Sequence, residues 1–169
     1  MARYRASLDS IEDFLAQKRI AMVGISRAPK DFGAELFEEL CRRGYEMVPV
    51  NPNASELLGR RCFARVQDIQ PPVDAALLMT SPAVTDTVVR DCAEAGIRRV
   101  WMYGGFVPGA VSAQALEFCR AEGINVVPDQ CPFMFLPNAE GGHRFHGFLR
   151  KITLRYPRRS RRVAKPASA

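Results

Sequence analysis

Apolar positions along this chain fall into two rhythms that take turns. Short runs in which most residues are apolar, Ile20–Val23, Met47–Val50, Asp74–Met79, Arg99–Met102 and Asn125–Val127, predict strands covered on both faces. Around them the spacing changes to that of a helix. Leu8, Ile11, Phe14 and Leu15 predict a helix over Ser7–Lys18, capped by Ser10 or Asp9. Phe32, Leu36, Phe37, Leu40 and Cys41 mark the buried face of a second helix that Gly44 stops, and Val84, Val88, Val89 and Cys92 mark a third that closes at Gly96. A fourth is expected over Val111–Glu122, stopped by Gly123. Strand, turn and helix recur at about 20–25 residue intervals, which predicts an α/β fold: a single Rossmann-like domain with a doubly wound, open parallel sheet of about five strands. Two stretches depart from the alternation. Ser55–Gln70, containing LLGRRCF, reads as a crossover loop with a short helix, and Pro128, Pro132 and Pro137 exclude a continuous helix over the segment PDQCPFMFLP.

The first β-α-β unit, Ile20 to Asn53, is where such domains hold a nucleotide. Gly24 ends the first apolar run, where a residue without Cβ lets the backbone turn tightly or approach a phosphate. Gly33 opens the following helix, so backbone N–H groups and the positive helix end can face an anion. The interval from Gly24 to Gly33 is longer than a G-x-G-x-x-G fingerprint allows, and the second strand ends Val50-Asn51-Pro52-Asn53, without the acid that accepts ribose hydroxyls in an NAD site. The turns expected at the carboxyl edge of the sheet are Gly24–Lys30, Asn51–Asn53, Thr80–Pro82, Tyr103–Phe106 and Gln130–Cys131. Arg27 and Lys30 can add charge-assisted bonds to phosphates. Thr80 and Ser81 supply hydroxyls and a helix cap ahead of Pro82. Gly104 and Gly105 allow close backbone approach. Trp101, the single tryptophan, is expected in the packing rather than as a base-stacking platform.

Composition narrows the class. At 169 residues, 47% apolar and 25% charged, the chain suits one globular domain with a full core. Apolar runs stop after five or six residues, so no membrane span is expected, and the start lacks the uninterrupted apolar stretch of a secretory signal. Five cysteines, odd in number and without a C-x-x-C pair, point to a reduced, cytoplasmic setting. Charge is uneven: with 15 basic against 18 acidic residues the first 140 positions carry −3, whereas the remainder carries +9. The basic tail is expected to be disordered and to seek weak anionic partners. His143 and His146 form H-x-x-H without further ligands at zinc spacing, so no metal is expected, and no Ser-His-Asp order, G-x-S-x-G or P-loop occurs.

The pattern VGIS, then DFG opening a helix, then GYEMVPVNP, and later VVPDQCP, resembles the small stand-alone CoA-binding proteins, which are similar to the N-terminal domain of the succinyl-CoA synthetase alpha subunit. The resemblance covers roughly Ile11 to Pro137. It implies that CoA or an acyl-CoA is the ligand. The first turn, with Gly24, Ile25 and the Ser26 hydroxyl, would hold the pyrophosphate, and Asn51, Pro52 and Asn53 would lie near the adenosine. The family often carries a Lys after that Pro for the ribose phosphate; Asn53 stands there in this chain, and Arg60 or Arg61 could substitute. Asp129 and Cys131 form the family's D-x-C-P, which places Cys131 where the ligand thiol could exchange into a mixed disulfide. The synthetase's phosphohistidine belongs to a second domain, so ligase chemistry is not expected to follow.

The expected organisation is an N-terminal helix over 1–18, a CoA-binding domain over 19–137, a C-terminal extension over 138–155 and the basic tail over 156–169. The expected function is a non-catalytic binding module for CoA. The alternative from another class is an NAD(P)-binding enzyme or redox sensor on the same fold.

Overall fold

The computed structural model describes residues 5–27, 31–104, 109–136, 157 and 159. The main strands are β1 (Arg19–Val23), β2 (Glu46–Val50), β5 (Ala75–Leu78), β6 (Arg99–Tyr103) and β7 (Asn125–Gln130), and β3 (Glu56–Leu57) and β4 (Arg60–Arg61) form a small hairpin between β2 and β5. The helices are α1 (Leu8–Leu15), α2 (Phe32–Arg42), α3 (Pro82–Glu94) and α4 (Ala113–Ala121). The five main strands pair in parallel in the order β2-β1-β5-β6-β7. This is the open, doubly wound sheet that the sequence predicts. Both prolines inside strands, Pro49 in β2 and Pro128 in β7, lie on edge strands, where a missing N–H leaves no ladder bond unmade.

Alternate residues of each strand feed two apolar layers. Ile20 and Met22 of β1 join Leu36, Phe37, Met47, Leu77, Trp101 and Val127 on the side of α1 and α2. Ala21 and Val23 join Val48, Val50, Leu78, Val89, Cys92 and Met102 on the side of α3 and α4. Trp101 is fully buried, its Nε1–H donates to the Gln130 carbonyl at 2.9 Å, and its ring meets Phe14 edge-on at 5.2 Å. The tryptophan is therefore packing. Burial also pushes the Cys119 thiol up to about 12, and that of Cys92 still higher, so both act as small apolar residues.

Several boundaries differ from the sequence expectation. The cap of α1 is Ser7, whose hydroxyl accepts from the Ser10 N–H at 3.0 Å, and the helix stops at Leu15, short of Lys18. Ser55–Gln70 holds the β3–β4 hairpin, which the sequence expectation lacks, ahead of the expected short helix, a single 3-10 turn at Val66–Asp68. Leu58 and Gly59 turn the hairpin at φ of 52° and 68°, a two-residue connection with both positions left-handed. β7 extends three residues past the expected Val127. Pro157 is buried, and Arg159 pairs with Glu12 at 3.0 Å and Asp9 at 3.8 Å on α1, at positions where a disordered tail is expected.

Asp13 ties α1 to the sheet. Its carboxylate accepts from Arg99 Nε at 2.9 Å and from Asn125 Nδ2 at 2.8 Å, at the amino ends of β6 and β7. Burial raises its pKa, but the bonds from Arg99 and Asn125 and the Arg99 charge outweigh burial and leave it below the usual carboxylate range. A depressed folded pKa contributes stability that is complete above the unfolded value of about 3.9 and is lost as pH falls through the lower folded value. Because the pair is partly exposed, Asp13→Asn is expected to cost only about 0.5–1 kcal/mol at pH 7, and the gap should narrow at an acidic pH below the unfolded value. Denaturant midpoints of both proteins at the two pH values check this; an equal gap at both would show that the charge contributes nothing.

Candidate functional site

Order β2-β1-β5-β6-β7 reverses direction at β1: the chain goes from β1 outward to β2, then crosses back to β5 on the other side. The crevice between the carboxyl ends of β1 and β5 is thus the switch point, where ligands of open α/β sheets settle. Gly24 follows β1 there with φ of +89° and donates its N–H to Val50 O at 3.1 Å. A Cβ built on Gly24 would stand 2.8 Å from Thr80 Cγ2 and 3.1 Å from the carbonyl carbon and oxygen of Met79. Both the turn and the space therefore require glycine at the mouth of the crevice.

The remaining predicted residues gather along the same edge to different degrees. Ile25 is buried, and Ser26 and Arg27 are exposed beyond it. Asn51 holds the first turn against the second: its Nδ2 donates to Ile25 O at 2.9 Å and its Oδ1 accepts from the Asn53 N–H at 2.8 Å. Pro52 and Asn53 are exposed at the same turn. Asp31 caps α2, its Oδ1 accepting from Ala34 N–H at 2.8 Å, and Gly33 lies buried in that first turn, where a Cβ would come within 3.3 Å of the same Oδ1. One of the helix-end amides expected to face an anion is thus already taken by a carboxylate. Thr80 Oγ1 shares a 2.7 Å hydrogen bond with Thr85, which is fully buried and also donates to Ser81 O at 3.1 Å. Ser81 occupies the cap position of α3 but makes no side-chain capping bond, which leaves its exposed hydroxyl facing solvent at the edge.

Farther along, Gly104 closes β6 against the end of β7. The register slips between Met102 and Tyr103, which pair with Pro128 and Gln130, so Asp129 bulges with φ of 53°. Gly104 N–H donates to Gln130 O at 3.3 Å. Cys131 follows at 9% exposure. Lys30, Gly105, His143 and His146, the extension over 138–155 and the tail apart from residues 157 and 159 lie outside the described residues.

Two features of the edge escaped the sequence reading. Phe32 at the start of α2 meets Tyr103 at 5.2 Å and Phe133 at 5.6 Å between ring centroids, an aromatic cluster beside Cys131. Burial, with the Cys131 thiol adding, raises the Tyr103 phenol, so it stays a neutral donor. The second is the β3–β4 hairpin, attached to the end of β2 by Asn51 N–H to Phe63 O at 2.9 Å and by Cys62 Sγ to Asn51 O at 3.7 Å. Burial raises the Cys62 thiol, partly offset by that contact. An open cleft of about 310 Å³, lined in part by Lys18, Arg43 and Tyr45, lies at the opposite, amino end of the strands and shares no residue with this edge. Among the described residues no helix is long and apolar enough to cross a membrane, and no three metal-ligating side chains cluster.

A five-stranded parallel sheet in the order 2-1-3-4-5, with a glycine turn at its switch point, defines a Rossmann-like α/β domain. The chain belongs to the CoA-binding domain family, whose model matches residues 18–137. It is similar, at 28% identity over 147 residues, to acetate–CoA ligase [ADP-forming] II of Archaeoglobus fulgidus, covering 82% of this chain but 21% of that one. The chain thus spans about a fifth of the length of that ligase. With the uncharacterized protein YneT of Bacillus subtilis it shares 27% identity over 114 residues, 68% of this chain and 82% of that protein. Among solved structures, a hypothetical protein from Pyrococcus horikoshii OT3 superposes with a TM-score of 0.68 at 27% identity, covering 78% of this chain and 94% of that one.

Proposed function

We propose that the chain binds CoA or an acyl-CoA in the crevice between β1 and β5, as a binding module that carries out no reaction alone. The observation that supports this most is Gly24 at φ +89° with Thr80 and Met79 in contact distance of its missing Cβ, because a residue without Cβ lets the turns after β1 and β5 lie together and leaves the backbone of the first bare towards a ligand. Family membership supports the choice of ligand. So does the end of β2, where Asn51 spends its carboxamide on Ile25 and Asn53 and no acid is present to take ribose hydroxyls. The pyrophosphate would meet the Gly24–Arg27 turn, the adenosine the Asn51–Asn53 turn, and the pantetheine would run past Ser81 and Gly104 towards the Phe32, Tyr103 and Phe133 rings.

Calorimetric titration with CoA, acetyl-CoA, dephospho-CoA and NAD tests the ligand. CoA and acetyl-CoA are expected to bind tighter than the other two. Equal weak binding of all four overturns the assignment, and NAD binding tighter than CoA would replace it with a nicotinamide-dependent enzyme or sensor. The non-catalytic half is checked by leaving acetyl-CoA with the protein and titrating free thiol; turnover above the buffer rate would make the chain an enzyme.

A further inference from the structure

CoA differs from dephospho-CoA by one group, the phosphomonoester on the adenosine ribose, and Asn53 places a neutral carboxamide where the resemblance would put a lysine. Most arginines whose contacts are described have a carboxylate: Arg19 pairs with Glu46, Arg43 with Glu39, Arg65 with Asp91 and Arg99 with Asp13. Among the described residues Arg90, over Phe118, and Arg98, bonded to Glu122 O, have none, and nor do Arg60 and Arg61. Both are exposed on β4, and among the described residues neither has a carboxylate within ion-pair distance, although Glu56 stands opposite Arg61 in the hairpin register. Each guanidinium instead lies over an aromatic ring, Arg60 at 5.9 Å from the Phe37 centroid and Arg61 at 4.8 Å from that of Phe63. Such stacking holds the planar fork in place while its N–H groups stay open to an anion. The hairpin is also fixed to the adenosine end of the edge, since Phe63 and Cys62 bond to the backbone of Asn51 and Phe63 N–H donates to Pro49 O at 3.1 Å.

We infer that the β3–β4 hairpin is a phosphomonoester-recognition arm, in which Arg60 and Arg61 take the ribose phosphate of CoA and so set the preference for CoA over its dephosphorylated form. The inference rests on the CoA reading above and adds to it the residues that discriminate. Arg60 and Arg61 are adjacent in a strand and leave it on opposite faces, so one of them takes the larger part. Arg61, stacked on the residue that bonds Asn51, is the nearer in covalent and hydrogen-bonded connection to the adenosine turn.

The test measures dissociation constants for CoA and dephospho-CoA with the wild-type chain, Arg60→Gln, Arg61→Gln and the double variant, at low and high salt. The double variant is expected to weaken CoA by about ten-fold or more while dephospho-CoA stays within about two-fold, so that the ratio collapses towards one. Wild-type preference for CoA should shrink as salt rises, because the arm is exposed. Retained dephospho-CoA binding also shows that the variants fold. Arg61→Lys should recover part of the ratio, because the charge returns without the stacked fork. Weakening of both ligands together, or an unchanged ratio in the double variant, overturns the inference. A wild-type chain that binds both ligands equally also overturns it while leaving the CoA site standing. Binding of neither ligand removes the site and the arm together.

Discussion

Gly24→Val is expected to abolish CoA binding, weakening it by about 100-fold or more, while the sheet still forms. Two physical costs coincide at this position. A branched residue strains at φ +89°, and its Cβ falls 2.8 Å from Thr80 Cγ2 and 3.1 Å from the Met79 backbone. Relief requires the turns after β1 and β5 to move apart, which is a change in the crevice that the ligand would occupy. Strain and overpacking of this kind cost about 1–3 kcal/mol each, less than the stability of an ordinary domain. Unfolding curves measured beside the titration separate lost binding from lost fold. Gly24→Ala with Thr80→Ser sharpens the result: serine keeps the hydroxyl that bonds Thr85 and removes the Cγ2 in the way, so this pair should be more stable than Gly24→Ala alone. It should still bind poorly, because the Met79 backbone contact and the positive φ persist. A folded Gly24→Val protein that bound CoA within about three-fold of the wild type would remove the crevice as the site.

Gly104→Ala is expected to have the largest effect on stability, about 3 kcal/mol or more. The added methyl would overlap Asp129 Oδ1 and Cα and fall 2.8 Å from its carbonyl carbon. A side-chain oxygen can swing away, but the other two atoms belong to the main chain. The ends of β6 and β7 would have to separate, and with them the Gly104 and Trp101 bonds to Gln130 O. Asp129→Gly relieves a left-handed residue at φ 53° and removes the carboxylate while leaving the main chain in place. Combining the two changes should not rescue Gly104→Ala, because only the oxygen is removed. Thermal unfolding of the three variants decides it: full rescue by Asp129→Gly would mean that the carboxylate, and not the backbone, sets the requirement for glycine.

The amino-acid sequence by itself determined the number and kind of the main elements. Each of the five parallel strands is an apolar run too short for a helix and covered on both sides, and each helix shows a 3.6-residue apolar face, so periodicity alone locates them. It also marked Gly24, because a glycine closing a buried strand before a helix has few other uses. Hydrophobic pattern could not find the β3–β4 hairpin: its strands are two residues each, shorter than a full alternation, and its Leu58–Gly59 turn lacks the Asn-Gly or Asp-Gly signature. Nor could it extend β7 through Pro128 and Asp129, since proline and a left-handed residue usually end a strand and are accommodated here by the sheet edge and a bulge. What stands beside what was left to the tertiary structure. Thr80 below Gly24, Asp129 against Gly104 and the Asn51 carboxamide on Ile25 join residues 56, 25 and 26 positions apart. Periodicity is a local property of the chain, whereas such contacts exist only once the crossovers bring the carboxyl ends of β1, β2, β5, β6 and β7 to one edge.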